Sequence, residues 1–379
     1  MASMAKDTCK LAVLPGDGIG PEVVREALKV LTAVEKTYSL KFDLREFPCG
    51  GKYYLETGRE WPDDAFAYCR DGADAILLGA VGWPGAVLPN RDIAGAGVIF
   101  GLRFGLDLFA NVRPCKLYPG VPHKVHASYR QVWDPAQVDL VILRENTEGC
   151  YTPVHGMLNR AEQTELAVDS RVITRKGSER VIRRAFDIAR TRQGAPGDRK
   201  RRVTCIDKSN VMAGCQLFRQ VYDEVARDYP EIEKSYMYID AFTLSLMREP
   251  ETYDVCVSTN MLGDIATDLS AVLQGGMGLA PSGNIGHERA MFEGVHGSAP
   301  PLTGTQKANP VAEILAAQMM LSWLADRRKS AALADAAAGV ERAVAKLLTN
   351  PDLRTPDLGG SAKTPDVGTA VARLVEARA

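Results

Sequence analysis

Residues 253–273 read YDVCVSTNMLGDIATDLSAVL, and the pattern changes within them from that of a strand to that of a helix. The β-branched residues of 253–259 alternate loosely and predict a buried strand. Residues 260–263 are expected to turn the chain, and Asp264 is expected to open a helix. The apolar stripe expected to face the core consists of Ile265, Leu269, Val272 and Leu273.

Two carboxylates lie on the flank of this predicted helix. Asp264 and Asp268 are four positions apart, about one turn, so their negative charges repel one another. A divalent cation such as Mg²⁺ takes oxygen ligands of this kind and would remove the repulsion. A solvated acidic flank, with Asp264 as a favourable first-turn charge, is the alternative. The rest of the chain has to decide between the two.

The composition is that of a soluble globular protein. The chain has 379 residues, 25% charged and 46% hydrophobic, with a formal net charge of -1, and its length predicts two lobes or domains. The chain has no excess of basic residues of the kind that indicates nucleic-acid binding, and it has no apolar run long enough for a membrane span. The N-terminal MASMAKDTCK has no signal or transit pattern, so a cytoplasmic location is expected. The eight cysteines form no C-x-x-C pair and are expected to be free thiols.

Apolar strand patterns alternate with helix patterns along the chain, which predicts an α/β fold. The predicted strands are residues 11–14, 41–47, 73–79, 139–143, 202–206, 235–239 and 254–258. One predicted helix starts near residue 21 and continues through residue 34. The others cover residues 176–192, 211–229, 310–327 and 333–348. Glycines 16, 18 and 20 do not have the spacing of the dinucleotide fingerprint, so that interpretation is rejected.

Several charged or polar side chains interrupt apolar sequence. Arg144 and Lys208 end predicted strands, where open α/β sheets place ligand-binding groups. Arginines suit bidentate recognition of carboxylates, so these positions fit an anionic substrate. The full set comprises Arg103, Arg113, Arg144 and Lys208, with Asp240 as a third carboxylate for a metal and Tyr151 as a candidate acid. The Gly-containing loop 294–301, GVHGSAPP, could bind a phosphate through its backbone N–H groups.

Seven motifs together, in this order, resemble the β-decarboxylating dehydrogenase family, which includes isocitrate, homoisocitrate, 3-isopropylmalate and tartrate dehydrogenases. The motifs are LPGDGIGPEV, LFANVRP, DLVILRENTEG, IDKSNV, STNMLGDIATDL, GLAPSGNIG and VHGSAP. The resemblance covers about residues 10–375 and implies an isopropylmalate-dehydrogenase-like two-lobed α/β fold with a central mixed sheet, not the Rossmann fold. It implies a large cofactor-binding domain of residues 1–108 with 275–379. Residues 109–274 would form a small domain for dimerisation and for metal and substrate binding.

The resemblance also implies the chemistry. Arg103, Arg113 and Arg144 would bind the malate part of a 2-hydroxy diacid, and Asp264 and Asp268 would hold Mg²⁺ or Mn²⁺ together with Asp240 of the partner subunit. Lys208, also from the partner, would take the C2 hydroxyl proton as hydride leaves for the nicotinamide. After CO₂ is lost, Tyr151 would protonate the enol. The active sites would be shared within an obligate homodimer.

For the cofactor, the resemblance implies a loop beginning at His296. The implied cofactor-binding residues are His296, Gly297, Ser298, Ala299, Pro301 and Asn309. NAD-using members carry an Asp directly after HGSAP and NADP-using members often carry Lys-Tyr, whereas this chain has Pro301 and Leu302. NAD is expected from Ala308 and RTPDLGG, with NADP as the alternative and weak discrimination between them.

The substrate's 3-substituent is left open. Ile99 and Phe100 occupy the family's specificity segment and match the Leu-Leu of isopropylmalate enzymes loosely. RENTEG, LFANVRP and RTPDLGG look most like the homoisocitrate and isocitrate branch, which is the first expectation. 3-Isopropylmalate, tartrate and a malate derivative of secondary metabolism are the alternatives. A non-catalytic regulatory subunit and a phosphate-binding transferase are less consistent with the complete set of charged residues.

Overall fold

The structure is a computed structural model that describes residues 8–378. Residues 1–7 of the N-terminal segment MASMAKDTCK, from which a cytoplasmic location was expected, lie outside the described residues. Residues 8–378 contain fourteen strands and eleven α-helical segments. The strands are β1 (Thr8–Gly16), β2 (Lys41–Glu46), β3 (Ala75–Ala80), β4 (Ala110–Lys116), β5 (His123–Val125), β6 (Ser128–Arg130), β7 (Asp139–Glu145), β8 (His155–Arg160), β9 (Gln163–Asp169), β10 (Arg202–Asp207), β11 (Glu233–Tyr238), β12 (Val255–Ser258), β13 (Pro281–Ile285) and β14 (Ala290–Gly294). The helices are α1 (Gly20–Tyr38), α2 (Gly51–Thr57), α3 (Ala65–Ala67), α4 (Ala96–Gly105), α5 (Arg175–Thr191), α6 (Ala213–Ala226), α7 (Ile239–Arg248), α8 (Asn260–Leu273), α9 (Val311–Arg328), α10 (Ala331–Leu348) and α11 (Thr364–Glu376).

The chain forms two compact units. The first comprises the described residues up to Leu106, Leu117–Pro135 and the described residues from Ala271 onward. The second comprises Asp107–Lys116 and Ala136–Ser270. The predicted domains place residues 117–135 in the small domain, whereas here this segment groups with the first unit. The predicted domain boundaries stay a proposal.

Each unit contains a mixed sheet. In the first unit the strand order is β2-β1-β3-β14-β13, parallel except for the β13–β14 pair. In the second unit it is β4-β7-β12-β10-β11, parallel except for the β4–β7 pair. Every residue of β3 and of β12 is buried, and accordingly β3 is apolar throughout and β12 is apolar except for Ser258. The predicted α/β fold with a mixed sheet is confirmed.

The free cysteines are also as predicted. Of the eight, seven are buried and Cys150 is partly exposed. Burial raises the pKa of the Cys49 and Cys69 thiols to about 12, so neither ionises near neutral pH. Packing is therefore the role that the structure supports for these two thiols.

One local prediction is wrong at the stretch quoted first. Residues 260–263 do not turn the chain, because α8 already begins at Asn260 and the Thr259 carbonyl accepts a hydrogen bond from the Gly263 N–H (2.8 Å). Asp264 therefore lies in the second turn of the helix. Two members of the expected core stripe, Ile265 and Val272, are 54% and 46% exposed.

A second local prediction also needs correction. Asp240 was expected at the end of the strand predicted over residues 235–239, but it lies in the first turn of α7, directly after β11. A carboxylate is favourable there because the N–H groups of a first turn have no partner within the helix.

Candidate active site

In the second unit, Asp264 on α8 is the centre of a cluster of charged and polar side chains. Its carboxylate pairs with Nη1 of Arg144 and lies 3.4 Å from Nη2 of Arg113. The Tyr151 hydroxyl donates a hydrogen bond to the other carboxylate oxygen at 3.0 Å. Arg113 and Arg144 are buried, whereas the Asp264 side chain is 28% exposed. The two arginines and the phenol contact part of this carboxylate. The exposed part remains accessible to a ligand.

Arg113 also joins this carboxylate to the next one along α8. Its Nη1 lies 3.1 Å from Asp268 Oδ1 and 2.6 Å from the Thr267 hydroxyl, and its Nε donates to Asn111 Oδ1 at 2.9 Å. Each nitrogen of the guanidinium therefore has an acceptor, which fixes the plane of the group. Sequence reasoning missed Thr267 and Asn111, although both lie within motifs that carry the family resemblance.

Arg144 reaches the cluster from the end of β7. It is buried (3% exposed), and its Nε donates to Asn260 Oδ1 at 2.9 Å. The Asn260 amide in turn donates to the Glu148 carbonyl at 2.7 Å. Asn260 thus holds the guanidinium and the loop after β7 together, a role that its residue type alone did not indicate.

The electrostatics of Tyr151 suit a proton donor. Burial raises the pKa of its phenol, and the charge and hydrogen bond of Asp264 add to the increase, while Arg144 opposes it. The hydroxyl is consequently protonated at neutral pH. Its ring also lies 5.4 Å from the Arg144 guanidinium, a cation–π contact that orients the side chain.

Lys208 and Asp240, the remaining predicted site residues of the second unit, form an ion pair with one another. Lys208 follows β10, and the side chain of Asp240 is 65% exposed. The hydrogen bond from Lys208 lowers the pKa of the Asp240 carboxyl. Within residues 8–378 of one chain, no three His, Cys, Asp or Glu side chains are grouped so that they could hold a metal ion. The predicted metal set of Asp240, Asp264 and Asp268 is therefore not assembled within a single chain.

In the first unit, Arg103 lies near the end of α4 and is buried (7% exposed). Its Nε donates to Asn284 Oδ1 at 3.1 Å, and its Nη2 lies 3.3 Å from Glu293 Oε1. Asn284 also donates to the same Glu293 oxygen at 2.7 Å. Ile99 and Phe100 lie on the same helix and are half-buried. Neither Asn284 nor Glu293 was predicted, because each is far from Arg103 in sequence.

The loop beginning at His296 lines a cavity of about 450 Å³ in the first unit. Three of the six predicted cofactor residues, His296, Ala299 and Asn309, line it directly. Burial lowers the pKa of His296, so the imidazole is neutral at pH 7. Four further lining residues belong to positions that the cofactor prediction used: Leu302, Ala308, Pro356 and Asp357. The lining residues that the sequence did not single out are Ile19, Lys124, Tyr129, Gly278 and Lys307.

Ser298 does not line this cavity but joins the loop that begins at His296 to neighbouring segments by hydrogen bonds. Its hydroxyl donates to the Gly82 carbonyl at 2.6 Å, and its carbonyl accepts from the Ile19 N–H at 2.8 Å. The approach requires glycine at position 18, where φ is +60° and a Cβ would lie 1.9 Å from the Ser298 carbonyl oxygen. The glycine-rich turn of residues 16–20 therefore packs against the loop. Gly297 and Pro301 do not line this cavity.

Comparison with known proteins identifies the family. A sequence model described as isocitrate/isopropylmalate dehydrogenase matches residues 10–371. The chain belongs to the isocitrate/isopropylmalate dehydrogenase family. As a member of this family it is an oxidoreductase, a β-decarboxylating dehydrogenase that acts on a CH–OH group. The resemblance drawn from the seven motifs is thus confirmed.

Individual family members are similar over nearly their whole length. The chain is 41% identical to a 3-isopropylmalate dehydrogenase of Corynebacterium efficiens, over 97% of this chain and 100% of that protein. It is also 41% identical to one of Thermobifida fusca, over 98% and 99%. A crystal structure of isocitrate dehydrogenase from Methylococcus capsulatus has a TM-score of 0.83 at 34% identity, covering 97% of this chain and 99% of that chain.

A β-decarboxylating dehydrogenase from Thermococcus kodakarensis has a TM-score of 0.76 at 34% identity, covering 97% of this chain and 96% of that one.

None of the helices in residues 8–378 is long and apolar enough to cross a membrane.

Proposed function

We propose that this family member catalyses the metal-dependent oxidative decarboxylation of a 3-substituted (2R)-malate, with hydride transfer to NAD. The observation that carries the proposal is the Asp264 carboxylate, which two arginines and a phenol surround. A carboxylate so placed can take part in metal binding while the arginines bind a substrate dianion. In this proposal Arg103, Arg113 and Arg144 bind the substrate carboxylates.

The residues present fit a hard divalent cation, Mg²⁺ or Mn²⁺. Asp264 and Asp268 offer oxygen ligands on successive turns of α8, and their side chains are 28% and 50% exposed. A third carboxylate is needed, and we assign it to Asp240 of a second copy of the chain. When bound, the cation would supply a Lewis acid, and NAD the hydride acceptor.

The side chains of this protein would move the protons. Lys208 would accept the proton of the C2 hydroxyl as the C2 hydride is transferred, which leaves a β-keto acid that loses CO₂. Tyr151, whose raised pKa keeps it protonated, would then donate a proton to the carbon that CO₂ has left. The ion pair between Lys208 and Asp240 supports a joint contribution of both residues to the same site.

Exposed apolar side chains support a homodimer with shared active sites. In the second unit, Val211, Leu244 and Ile265 are 69%, 68% and 54% exposed, and they flank Lys208, Asp240 and Asp264 in sequence. The β8–β9 hairpin exposes four more, at Met157, Leu158, Leu166 and Val168. Exposed apolar surface of this kind marks a protein contact site. A second copy of the chain is the partner that would complete the metal site.

The cavity at His296 supports nicotinamide cofactor binding but gives NAD little advantage over NADP. No carboxylate follows the HGSAP motif, since Pro301 and Leu302 stand there. Lys124 and Lys307 line the cavity as well, and cations tolerate an additional phosphate. We therefore keep NAD as the proposed cofactor and expect NADP to serve measurably. The proposed location is the cytoplasm.

The apolar side chains of α4 favour an apolar 3-substituent, with 3-isopropylmalate as the first candidate. Ile99 and Phe100 carry no group that could pair with a third carboxylate. The names of the Corynebacterium and Thermobifida relatives agree with this choice. Homoisocitrate and isocitrate remain the second candidates, because the Methylococcus structure is that of an isocitrate dehydrogenase.

The RENTEG motif, which favoured the homoisocitrate branch, has a role in the structure of its loop. Glu145 accepts backbone N–H bonds from Thr147 and Glu148, both at 2.8 Å. Glu148 accepts the Thr174 N–H at 2.9 Å, next to the start of α5. These carboxylates stabilise the loop after β7, so their presence does not by itself indicate the substrate.

The test is NADH and NADPH formation with 3-isopropylmalate, homoisocitrate, isocitrate, tartrate and malate, each with Mg²⁺ and with EDTA. We expect a metal-dependent preference for 3-isopropylmalate, and a preference for homoisocitrate or isocitrate would overturn the assigned substituent. If no substrate turns over although Mg²⁺ binds, the chain is a regulatory subunit instead.

For shared sites, mixed Lys208→Met and Asp264→Asn subunits should recover about one quarter of wild-type activity, since half of the dimers would contain one intact site. Failure to recover after subunit exchange would refute the sharing.

A further inference from the structure

The start of α4 is held by a residue distant in sequence. The helix follows Gly95 (φ +101°), which has no side chain to cap the free N–H groups of the first turn. Instead, Glu60 Oε1 accepts hydrogen bonds from the N–H of Gly95 at 2.6 Å and of Gly97 at 3.0 Å. The Glu60 backbone is fixed too, since its carbonyl accepts the Gly50 N–H at 2.8 Å. A carboxylate in this position also complements the helix dipole.

The contact between Glu60 and α4 is so close that a side chain at position 97 would displace the Glu60 carboxylate. A Cβ added to Gly97 would lie 2.2 Å from Glu60 Oε2 and 2.8 Å from its carboxyl carbon. The residues after Glu60 continue the contact along the helix. A Cβ at Gly101 would lie 3.4 Å from the Trp61 ring, and one at Gly105 would lie 2.5 Å from the Phe66 ring. The segment 60–66 therefore sets the position of α4 along its length.

The same helix carries the side chains assigned to substrate recognition. Ile99 and Phe100 follow Gly97 within one turn, and Arg103 follows on the next. Glu293 and Asn284 bind the Arg103 guanidinium near the C-terminal end of α4. Glu60 binds the other end of the helix. Within segment 60–66, Glu60 is the residue that hydrogen-bonds the start of α4, at Gly97, two residues before Ile99.

We propose that Glu60 is a positioning residue for substrate specificity. Its carboxylate fixes the first turn of α4 so that Ile99, Phe100 and Arg103 meet the 3-substituent and carboxylate of the substrate. The proposal rests on the proposed function, because α4 has this role only if the substrate is a 3-substituted malate. Glu60 itself does not touch the reacting atoms.

The first experiment compares the wild type with Glu60→Ala and Glu60→Gln. We expect Glu60→Ala to raise the substrate KM by about tenfold, with kcat and the cofactor KM within about twofold, because a misplaced binding group costs affinity first. Glu60→Gln keeps an acceptor oxygen and should recover most of the loss. The control is Glu56→Ala on α2, an exposed position outside the site. Unchanged substrate KM in Glu60→Ala, or equal losses in kcat and in both KM values, would overturn the proposal.

A double-mutant cycle tests the contact itself. Gly97→Ala should displace the Glu60 carboxylate and raise the substrate KM as Glu60→Ala does. In the Glu60→Ala background, the same methyl group has room and should add little. Additive effects would show that Gly97 and Glu60 act independently and would refute the mechanism.

A measurement without turnover separates this proposal from the proposed function. Hydrogen exchange of peptides covering residues 96–105 should be faster in Glu60→Ala than in the wild type, and unchanged in Glu56→Ala. Unchanged exchange in Glu60→Ala would overturn the positioning role even if the enzyme is active. Faster exchange with no malate-type substrate turned over by the wild type would retain the hold on α4 and reject the proposed function.

Discussion

Glu313 on α9 offers a test of how a buried carboxyl affects stability. It is fully buried, and its Oε2 accepts the Gly294 N–H at 3.0 Å. Its Oε1 is buried without a hydrogen-bond partner in the part of the chain that the structure describes. Burial raises its pKa well above the ordinary glutamate value of 4.5, and the charge of Glu293 adds to the increase, while the Gly294 N–H opposes it. The folded protein therefore holds this group as the neutral acid.

The sign of the pH effect follows from proton binding. Below the unfolded-state pKa, Glu313 is protonated in both states, and its contribution to stability is fully present. As pH rises from there towards the folded-state pKa, only the unfolded chain releases the proton, so the free energy of unfolding falls. The loss is about 1.4 kcal/mol per pH unit in this window. Glu313→Gln keeps an acceptor for Gly294 and does not titrate, so it removes this loss.

The assay is urea unfolding of the wild type and Glu313→Gln at about pH 5, 6 and 7, above the ordinary glutamate pKa. The stability of the variant relative to the wild type should rise with pH, by about 1.4 kcal/mol per pH unit until the folded-state pKa is reached. Glu56→Gln, an exposed substitution, serves as the control and should show no such trend. A constant difference between Glu313→Gln and the wild type at all three pH values would refute the neutral, buried carboxyl.

Two further predictions concern the second unit. Tyr151→Phe removes the proposed proton donor and should lower kcat by about 100-fold or more, as loss of a general acid does. Steady-state kinetics would contradict this role if kcat stayed within about twofold. Asp254→Asn breaks the ion pair of a fully buried carboxylate with Arg192 (2.6 Å) and should cost about 3 kcal/mol of unfolding free energy. A urea midpoint equal to that of the wild type would show that the pair contributes no net stability.

Seven of the fourteen strands in residues 8–378 were predicted, because their patterns are local. Residues 75–79 and 140–143 are continuous apolar runs, and they lie within strands β3 and β7. Strand β4 was not predicted, since ANVRPCK contains an arginine, a lysine and a proline. Its arginine is tolerated there because Asn111, Thr267 and acidic residues of α8 supply partners. Asn111 lies in the same strand, but the other partners come from α8, more than 150 residues away, and no local pattern contains them.

The exposed positions on α8 show a second limit of local patterns. An apolar stripe predicts a buried face, yet Ile265 is more than half exposed. The spacing of apolar residues indicates that a side chain is expected to be buried, but it does not indicate whether the same chain or a partner subunit buries it. The proposed dimer contact would supply that surface.

By itself, the sequence determined the α/β class and the family, because apolar strand patterns alternate with helix patterns and the seven motifs occur in one order. It also singled out Arg113, Arg144, Tyr151 and Asp264, which the fold brings into one cluster. Only the tertiary structure decided what holds such side chains in place. Glu60 caps a helix 35 residues away, and Glu293 pairs with Arg103 across 190 residues. Such contacts depend on how distant segments pack, so each becomes visible only when the chain has folded.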